Sequence, residues 1–154
     1  MTDEQVLALC KHAQCLAENN KLELAVKVQR EVMNASKAKW GRHHPDSMNA
    51  VYALGNMLIM QRQFRKAEAV CKEAFETRRT VYGDNNLHTA RAKHNWALTL
   101  HGQGQVKKAE RLLREILDET NFGPDSRCTL LTRRYFGTIL AEQHKWEEAE
   151  YHLR

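Results

Sequence analysis

The chain repeats itself, and a repeat of this length restricts it to architectures in which like units stack side by side. Trp40-Gly41, Tyr82-Gly83 and Phe122-Gly123 each pair an aromatic residue with glycine, 42 and then 40 residues apart. Six positions after each glycine stands a hydroxyl residue, Ser47, Thr89 or Thr129. Twenty positions further comes an alanine, Ala67, Ala109 or Ala149. Glutamate follows each alanine, at Glu68, Glu110 and Glu150. Agreement at several independent positions fixes the register. Counting 42 back from Ala67 reaches Ala25, inside Lys21-Leu22-Glu23-Leu24-Ala25-Val26, an earlier and more diverged copy. The expected copies run from about 2 to 40, 44 to 83, 86 to 123 and 126 to 154, the last truncated, within a single domain of residues 1–154.

Each copy reads as two helices. Apolar residues at Val51, Leu54, Leu58 and Met60 recur near a period of 3.6, which predicts an amphipathic helix over Met48–Gln61, with Pro45 tolerated as a first helical residue. After the break at Arg62-Gln63, Ala67, Cys71, Ala74 and Phe75 share one face of a second helix, from Phe64 to about Tyr82. Gly83 is expected to end it in the left-handed conformation. His44, Asn86 and Ser126 are equivalent positions before each first helix, and Thr2 with Gln5 three places on has capping-box spacing. The small residues Ala13, Gly55, Ala97 and Gly137 are also equivalent, and Leu16, Leu58, Leu100 and Leu140 lie three places beyond them. A small residue lets a partner helix approach, and the leucine fills the space beside it. One hairpin cannot bury such a face alone, so stacked neighbours must supply the core.

Composition narrows the class further. With 7 glycines and 2 prolines in 154 residues, little interrupts helices, and 42% of the residues are apolar. No run approaches the eighteen or so consecutive apolar residues of a membrane-spanning helix, and the start Met1-Thr2-Asp3-Glu4 does not read as an export leader. Cys10, Cys15, Cys71 and Cys128 are too scattered for a disulfide framework, so a reducing compartment, taken as cytoplasmic, is expected. The formal charge of +5 favours acidic partners.

The segment Gly41-Arg42-His43-His44-Pro45-Asp46-Ser47 resembles the Gly-x-x-His-Pro-Asp boundary of the tetratricopeptide family, in the 42-residue subtype found in kinesin light chain. Phe64 to Ala74 and Val81-Tyr82-Gly83 are similar to that subtype's second helix. The family's Asn-Asn-Leu-Ala stretch is replaced by Tyr52-Ala53-Leu54-Gly55, His94-Asn95-Trp96-Ala97 and Arg134-Tyr135-Phe136-Gly137, of which only Asn95 keeps an asparagine. The resemblance implies an all-α fold, a right-handed superhelical array of antiparallel helix pairs, or α-solenoid. Its first helices would line a concave groove.

On that face the resemblance places Asn49, Tyr52 and Asn56 from one first helix, Arg91, His94, Asn95, Leu98 and His101 from the next, and Leu131, Arg134 and Thr138 from the last. Three-to-four spacing puts each set on one side of its helix. Arg91, His94 and Arg134 are expected to supply charge. Tyr52, Asn56 and Asn95 are expected to supply packing and hydrogen bonds. Such a surface suits a peptide bearing Asp or Glu, because arginine forks onto carboxylates.

Other chemistries find less support. Neither His43-His44 with Asp46 nor Cys10, His12 and Cys15 supplies the four converging ligands of structural zinc. Gly102-Gln103-Gly104 lacks the following Lys-Ser/Thr of a phosphate loop. Trp40, Trp96 and Trp146 occupy recurring slots expected to be core, and Cys71, aligned with Leu113 and Leu153, is expected to pack there too. No nucleophile elbow or paired catalytic carboxylates are found, so no enzyme activity, metal or other cofactor is expected.

The function expected is therefore protein–protein interaction, with an acidic peptide segment of a partner held in the groove and no membrane partner. One alternative is a scaffold or self-association segment of a larger signalling or motor protein. In that reading the incomplete C-terminal repeat, ending at Arg154, drives homo-oligomer formation. Single-stranded RNA binding ranks below both, since no regular pair of groove residues repeats with the copies.

Overall fold

The computed structural model describes residues 1–119 and 122–154, so positions 120 and 121 of the copy expected at 86–123 lie outside the described residues. Eight helices are present among the described residues: α1 Asp3–Glu18, α2 Leu22–Trp40, α3 Pro45–Met60, α4 Phe64–Tyr82, α5 Leu87–Gly102, α6 Val106–Glu119, α7 Arg127–Glu142 and α8 Trp146–Leu153. They pair as antiparallel hairpins, α1 with α2, α3 with α4, α5 with α6 and α7 with α8, and each pair stacks on the next. The result is an all-α right-handed solenoid.

The start of each first helix is written in its cap. Thr2 accepts from the Gln5 amide and the Gln5 side chain reaches back, completing the capping box. Asn86 and Ser126 accept from the amides of His88 and Thr129, and His44 does the same for Asp46 through Nδ1. Pro45 occupies the first position of α3, as expected.

Every hairpin turns the same corner. The amide of Lys21, Gln63, Gln105 or Lys145 donates to the carbonyl of Leu16, Leu58, Leu100 or Leu140, at 2.8, 2.9, 2.9 and 3.0 Å. The residue just before each of those amides, Asn20, Arg62, Gly104 or His144, has φ of 59°, 57°, 79° or 60°. This is the Schellman arrangement, which satisfies the last carbonyls of the helix. The left-handed residues therefore sit inside the hairpins. At the boundaries between hairpins, Gly41 and Gly83 have φ of 83° and 84° with ψ of 163° and 173°. That corrects the left-handed geometry expected of Gly83: the backbone there lies in an extended, positive-φ region open essentially to glycine alone.

The recurring small residues are the joints of the stack. Ala25, Ala67, Ala109 and Ala149 are fully or almost fully buried, as are Ala13 and Ala97. A Cβ on Gly55 would come within 2.9 Å of the Cys71 sulfur, which fixes how closely α3 and α4 lie. The glutamates after Ala67 and Ala109 brace the next hairpin. Glu68 accepts from the Gln103 side chain at 2.8 Å, and Glu110 from Gln143 at 3.0 Å and Lys145 at 3.2 Å.

Two main apolar clusters result, one around Val32, Leu54, Leu58 and Phe75, the other around Leu100, Leu113, Phe136 and Leu140. Trp96 packs against both and stacks on Phe75 with ring centroids 5.6 Å apart. Cys71 is buried in the first cluster. Two tryptophans depart from expectation. Trp146 is 60% exposed, because the ring at its slot is covered by the following first helix, as Phe64 is by Gly102, and no described helix follows α8. Trp40 is half-buried, stacks on His44 at 5.2 Å and faces an open pocket instead of the core.

Candidate protein-binding groove

The first helices α1, α3, α5 and α7 share one side of the array, and two cavities open there. The second along the chain, about 420 Å³, is lined by Tyr52 of α3, by Leu87, Arg91, His94, Asn95 and Leu98 of α5, and by residues 126–128 and Leu131 at the start of α7. Six of the residues expected on that face, Tyr52, Arg91, His94, Asn95, Leu98 and Leu131, thus meet in one place. Asn56 lies just behind, accepting from the Asn95 side chain and locking α3 to α5. Arg134 and Thr138 are exposed on α7, one and two turns beyond Leu131, and neither lines the cavity. Asn49 faces the neighbouring cavity.

Two further residues are committed to holding helices together. His101 is hydrogen-bonded through Nδ1 to the Tyr135 hydroxyl at 2.6 Å and through Nε2 to Glu142 at 2.8 Å, a chain that ties α5 to α7. Burial, with Glu142 adding to it, pushes the Tyr135 hydroxyl up to about 12, so the phenol stays protonated. His94 shares a hydrogen bond of 3.2 Å with Thr132, and burial brings its pKa down to about 4. The ring is therefore neutral at neutral pH. The charge expected from His94 is absent because an imidazolium there would be largely cut off from water.

The charge comes instead from arginines, one of which the sequence reading missed. Arg78 of α4 is only 3% exposed. Its guanidinium donates to the His88 carbonyl at 3.2 Å and to the Asn49 side-chain oxygen at 3.2 Å, and lies 4.1 Å from the centroid of the Tyr52 ring. Arg91 approaches the same ring at 5.8 Å. Burial lowers the Arg78 pKa, Tyr52 opposes the shift and Arg91 adds to it. Among the described residues no carboxylate pairs with Arg78, Arg91, Arg127 or Arg134, and none lines this cavity. Lys93, by contrast, is held by Glu115 at 2.8 Å. At the groove the Tyr52 ring is flanked by the guanidinium of Arg91 and, buried outside the cavity lining, by that of Arg78, and among the described residues no carboxylate pairs with either.

The other cavity, about 720 Å³, lies between α1 and α3 over α2. Val6, Leu7, Ala50, Ala53 and Met57 make it largely apolar, and its charged lining residues are Asp3, Glu18 and Asp46. Among the described residues no cluster of three His, Cys, Asp or Glu side chains is placed to hold a metal, and no helix is long and apolar enough to cross a membrane.

A family model for the tetratricopeptide repeat matches residues 46–118 and 89–154. The chain belongs to the tetratricopeptide repeat family. No curated protein sequence matches it. Among solved structures, it is similar to the nearly identical TPR-like repeats of a putative kinesin light chain from Podosopora anserina. There the TM-score is 0.85 at 14% identity, over 99% of this chain and 73% of that one. BtubC (BKLC) from P. vanneervenii gives a TM-score of 0.84 at 14% identity, over 96% of this chain and 60% of that one. MamA from Desulfovibrio magneticus RS-1 gives 0.71 at 19% identity, over 96% and 71%. The chain thus spans about three-fifths of the BtubC structure. These likenesses establish a repeat architecture shared with kinesin-light-chain-like arrays. Tetratricopeptide arrays are in general protein–protein interaction modules.

Proposed function

We propose that this module binds an acidic peptide segment of a partner protein across α3, α5 and α7. The observation that carries the reading is the uncompensated cation pair Arg78 and Arg91 around Tyr52, with Arg127 at the groove's rim. A buried guanidinium without a carboxylate raises the local potential, and a ligand carboxylate seated over Tyr52 lowers it. Arg91 and Arg127 are free to fork onto Asp or Glu side chains. The groove is preformed by the Asn56–Asn95 and His94–Thr132 links, so the ligand bears most of the ordering cost. The four free cysteines suit a reducing, cytoplasmic setting.

Fluorescence anisotropy with a labelled Asp/Glu-rich peptide tests this. Arg91→Glu combined with Arg127→Glu is expected to weaken binding at least tenfold while circular dichroism stays unchanged. Equal affinity of variant and parent would refute the assignment.

A second reading, self-association, is favoured by Trp146, Tyr151 and Leu153, all more than half exposed at one end of the array. Sedimentation equilibrium decides it: a monomer mass independent of concentration excludes pairing through α8.

A further inference from the structure

The seam between α1 and α3 and the seam between α3 and α5 occupy equivalent positions in successive copies, and comparing them residue by residue shows why the first is open and the second filled. Counting 42 back from Tyr52 gives Cys10, and from Arg78 gives Ser36. In the seam between α3 and α5, Tyr52 and Arg78 fill the space: the guanidinium stacks on the ring and bonds to both neighbouring helices. In the seam between α1 and α3, the half-buried Cys10 and the buried Ser36 stand at those two places, and both line the 720 Å³ cavity. An aromatic ring and a cation have been replaced by two of the smallest side chains. The consequence extends to the helices themselves. α3 touches α5 and α5 touches α7 directly, with side-chain links across each seam, whereas α1 and α3 hardly touch except through α2.

The charge of the open seam is inverted too. Its lining carries Asp3, Glu18 and Asp46 and no lysine or arginine. Asp3 is partnered by Lys39 from outside the cavity, and Asp46 has His44 at 3.7 Å. Among the described residues Glu18 accepts from Gln14 alone. Asp46 also makes itself felt at the cavity floor: burial raises the Cys10 pKa and Asp46 raises it further.

We propose that the α1–α3 cavity receives a bulky aromatic side chain adjacent to a lysine or arginine from the bound peptide, so that the ligand supplies in trans the ring and cation that Tyr52 and Arg78 supply in cis one copy later. Trp40, Met57, Val6 and Leu7 pack the ring, and Asp46 and Glu18 face the cation. The inference rests on the peptide-groove reading above and adds a second, oppositely charged subsite to it. Spacing follows from the stack. Packed helices lie about 8–10 Å apart, so up to two helix steps separate the cavities by about 15–20 Å, or about five or six residues of extended chain at about 3.3 Å each. The ligand is thus a bipartite segment, aromatic-basic at one end and acidic about six residues away.

The test uses the whole chain and three labelled peptides: a four-residue acidic block alone, and the same block joined through a Gly-Ser spacer of six residues to Trp-Arg at either end. One of the bipartite peptides is expected to bind at least tenfold more tightly than the acidic block. In the double variant Cys10→Tyr with Ser36→Arg, which rebuilds the filled seam, that gain is expected to vanish while affinity for the acidic block is unchanged. If circular dichroism shows that this variant misfolds, Glu18→Lys with Asp46→Asn serves in its place, with the gain expected to fall at least threefold. Equal affinity of all three peptides for the parent chain overturns the inference and leaves the acidic groove standing. So does a gain that persists in the folded variant. Failure of every peptide to bind overturns both.

Discussion

Acidification should destabilise this protein through His94 in a narrow and specific window. Burial holds the His94 ring at about 4, against an ordinary value of 6.5 in the unfolded chain. Its surroundings give a proton no welcome: Thr132 and Tyr135 come from α7, Tyr52 from α3, and Arg91 and Arg127 share its cavity. A depressed histidine pKa means that the unfolded chain takes up a proton that the folded chain refuses. The stabilising contribution is thus complete above about pH 6.5, is lost progressively as pH falls to about 4, and changes no further below that. The difference of about 2.5 units corresponds to about 3 kcal/mol as an upper bound. Urea unfolding of the parent and of His94→Gln, measured in parallel from pH 7.5 to 3.5, isolates the effect, since carboxylate titrations are common to both. The stability of the parent relative to the variant is expected to drop by up to about 3 kcal/mol between pH 6.5 and 4. A gap that stays constant over that range, or that widens in acid, would refute the reasoning.

The tryptophans offer a contrast in one experiment: Trp96→Ala should cost roughly 3 kcal/mol, because it opens the junction of both apolar clusters, while Trp146→Ala should change stability by less than about 0.5 kcal/mol in chemical denaturation. Gly102→Ala places a Cβ against the Phe64 ring and is expected to lower stability by about 1–3 kcal/mol, read from thermal unfolding; no loss would show that the seam has slack. Glu110 sits where burial raises its pKa but hydrogen bonds from Gln143, Lys145 and Arg114 lower it more. Glu110→Gln should therefore destabilise the array at neutral pH, with the penalty shrinking as pH falls through the carboxylate range, measured by urea unfolding at several pH values.

Much of the fold is legible because the copies check one another. The helix from Phe64 to Tyr82, the caps at His44, Asn86 and Ser126, and the buried alanines at the joints all depend on local spacing, which recurs at a fixed period. The conformation of Gly83 was misjudged because a positive φ alone leaves ψ open, and ψ is set by how the next hairpin leaves the boundary. The site is less legible. Tyr52, Arg91 and Leu98 could be placed on one face by helical spacing, but Arg78 belongs to a second helix and meets the Tyr52 ring only through stacking. His94 could be placed but not its charge, which depends on burial by α7. The α1–α3 cavity left a trace in the comparison of Cys10 and Ser36 with Tyr52 and Arg78, yet its openness is a property of three helices at once.

The identical corner inside each hairpin has a further consequence. Its geometry is dictated by main-chain amides donating to the leucine carbonyl, so it survives asparagine, arginine, glycine and histidine at the same place. The superhelical pitch is thereby uncoupled from the chemistry at the hairpin tips. Along that edge the protein can change its decoration, residue by residue, without changing its curvature.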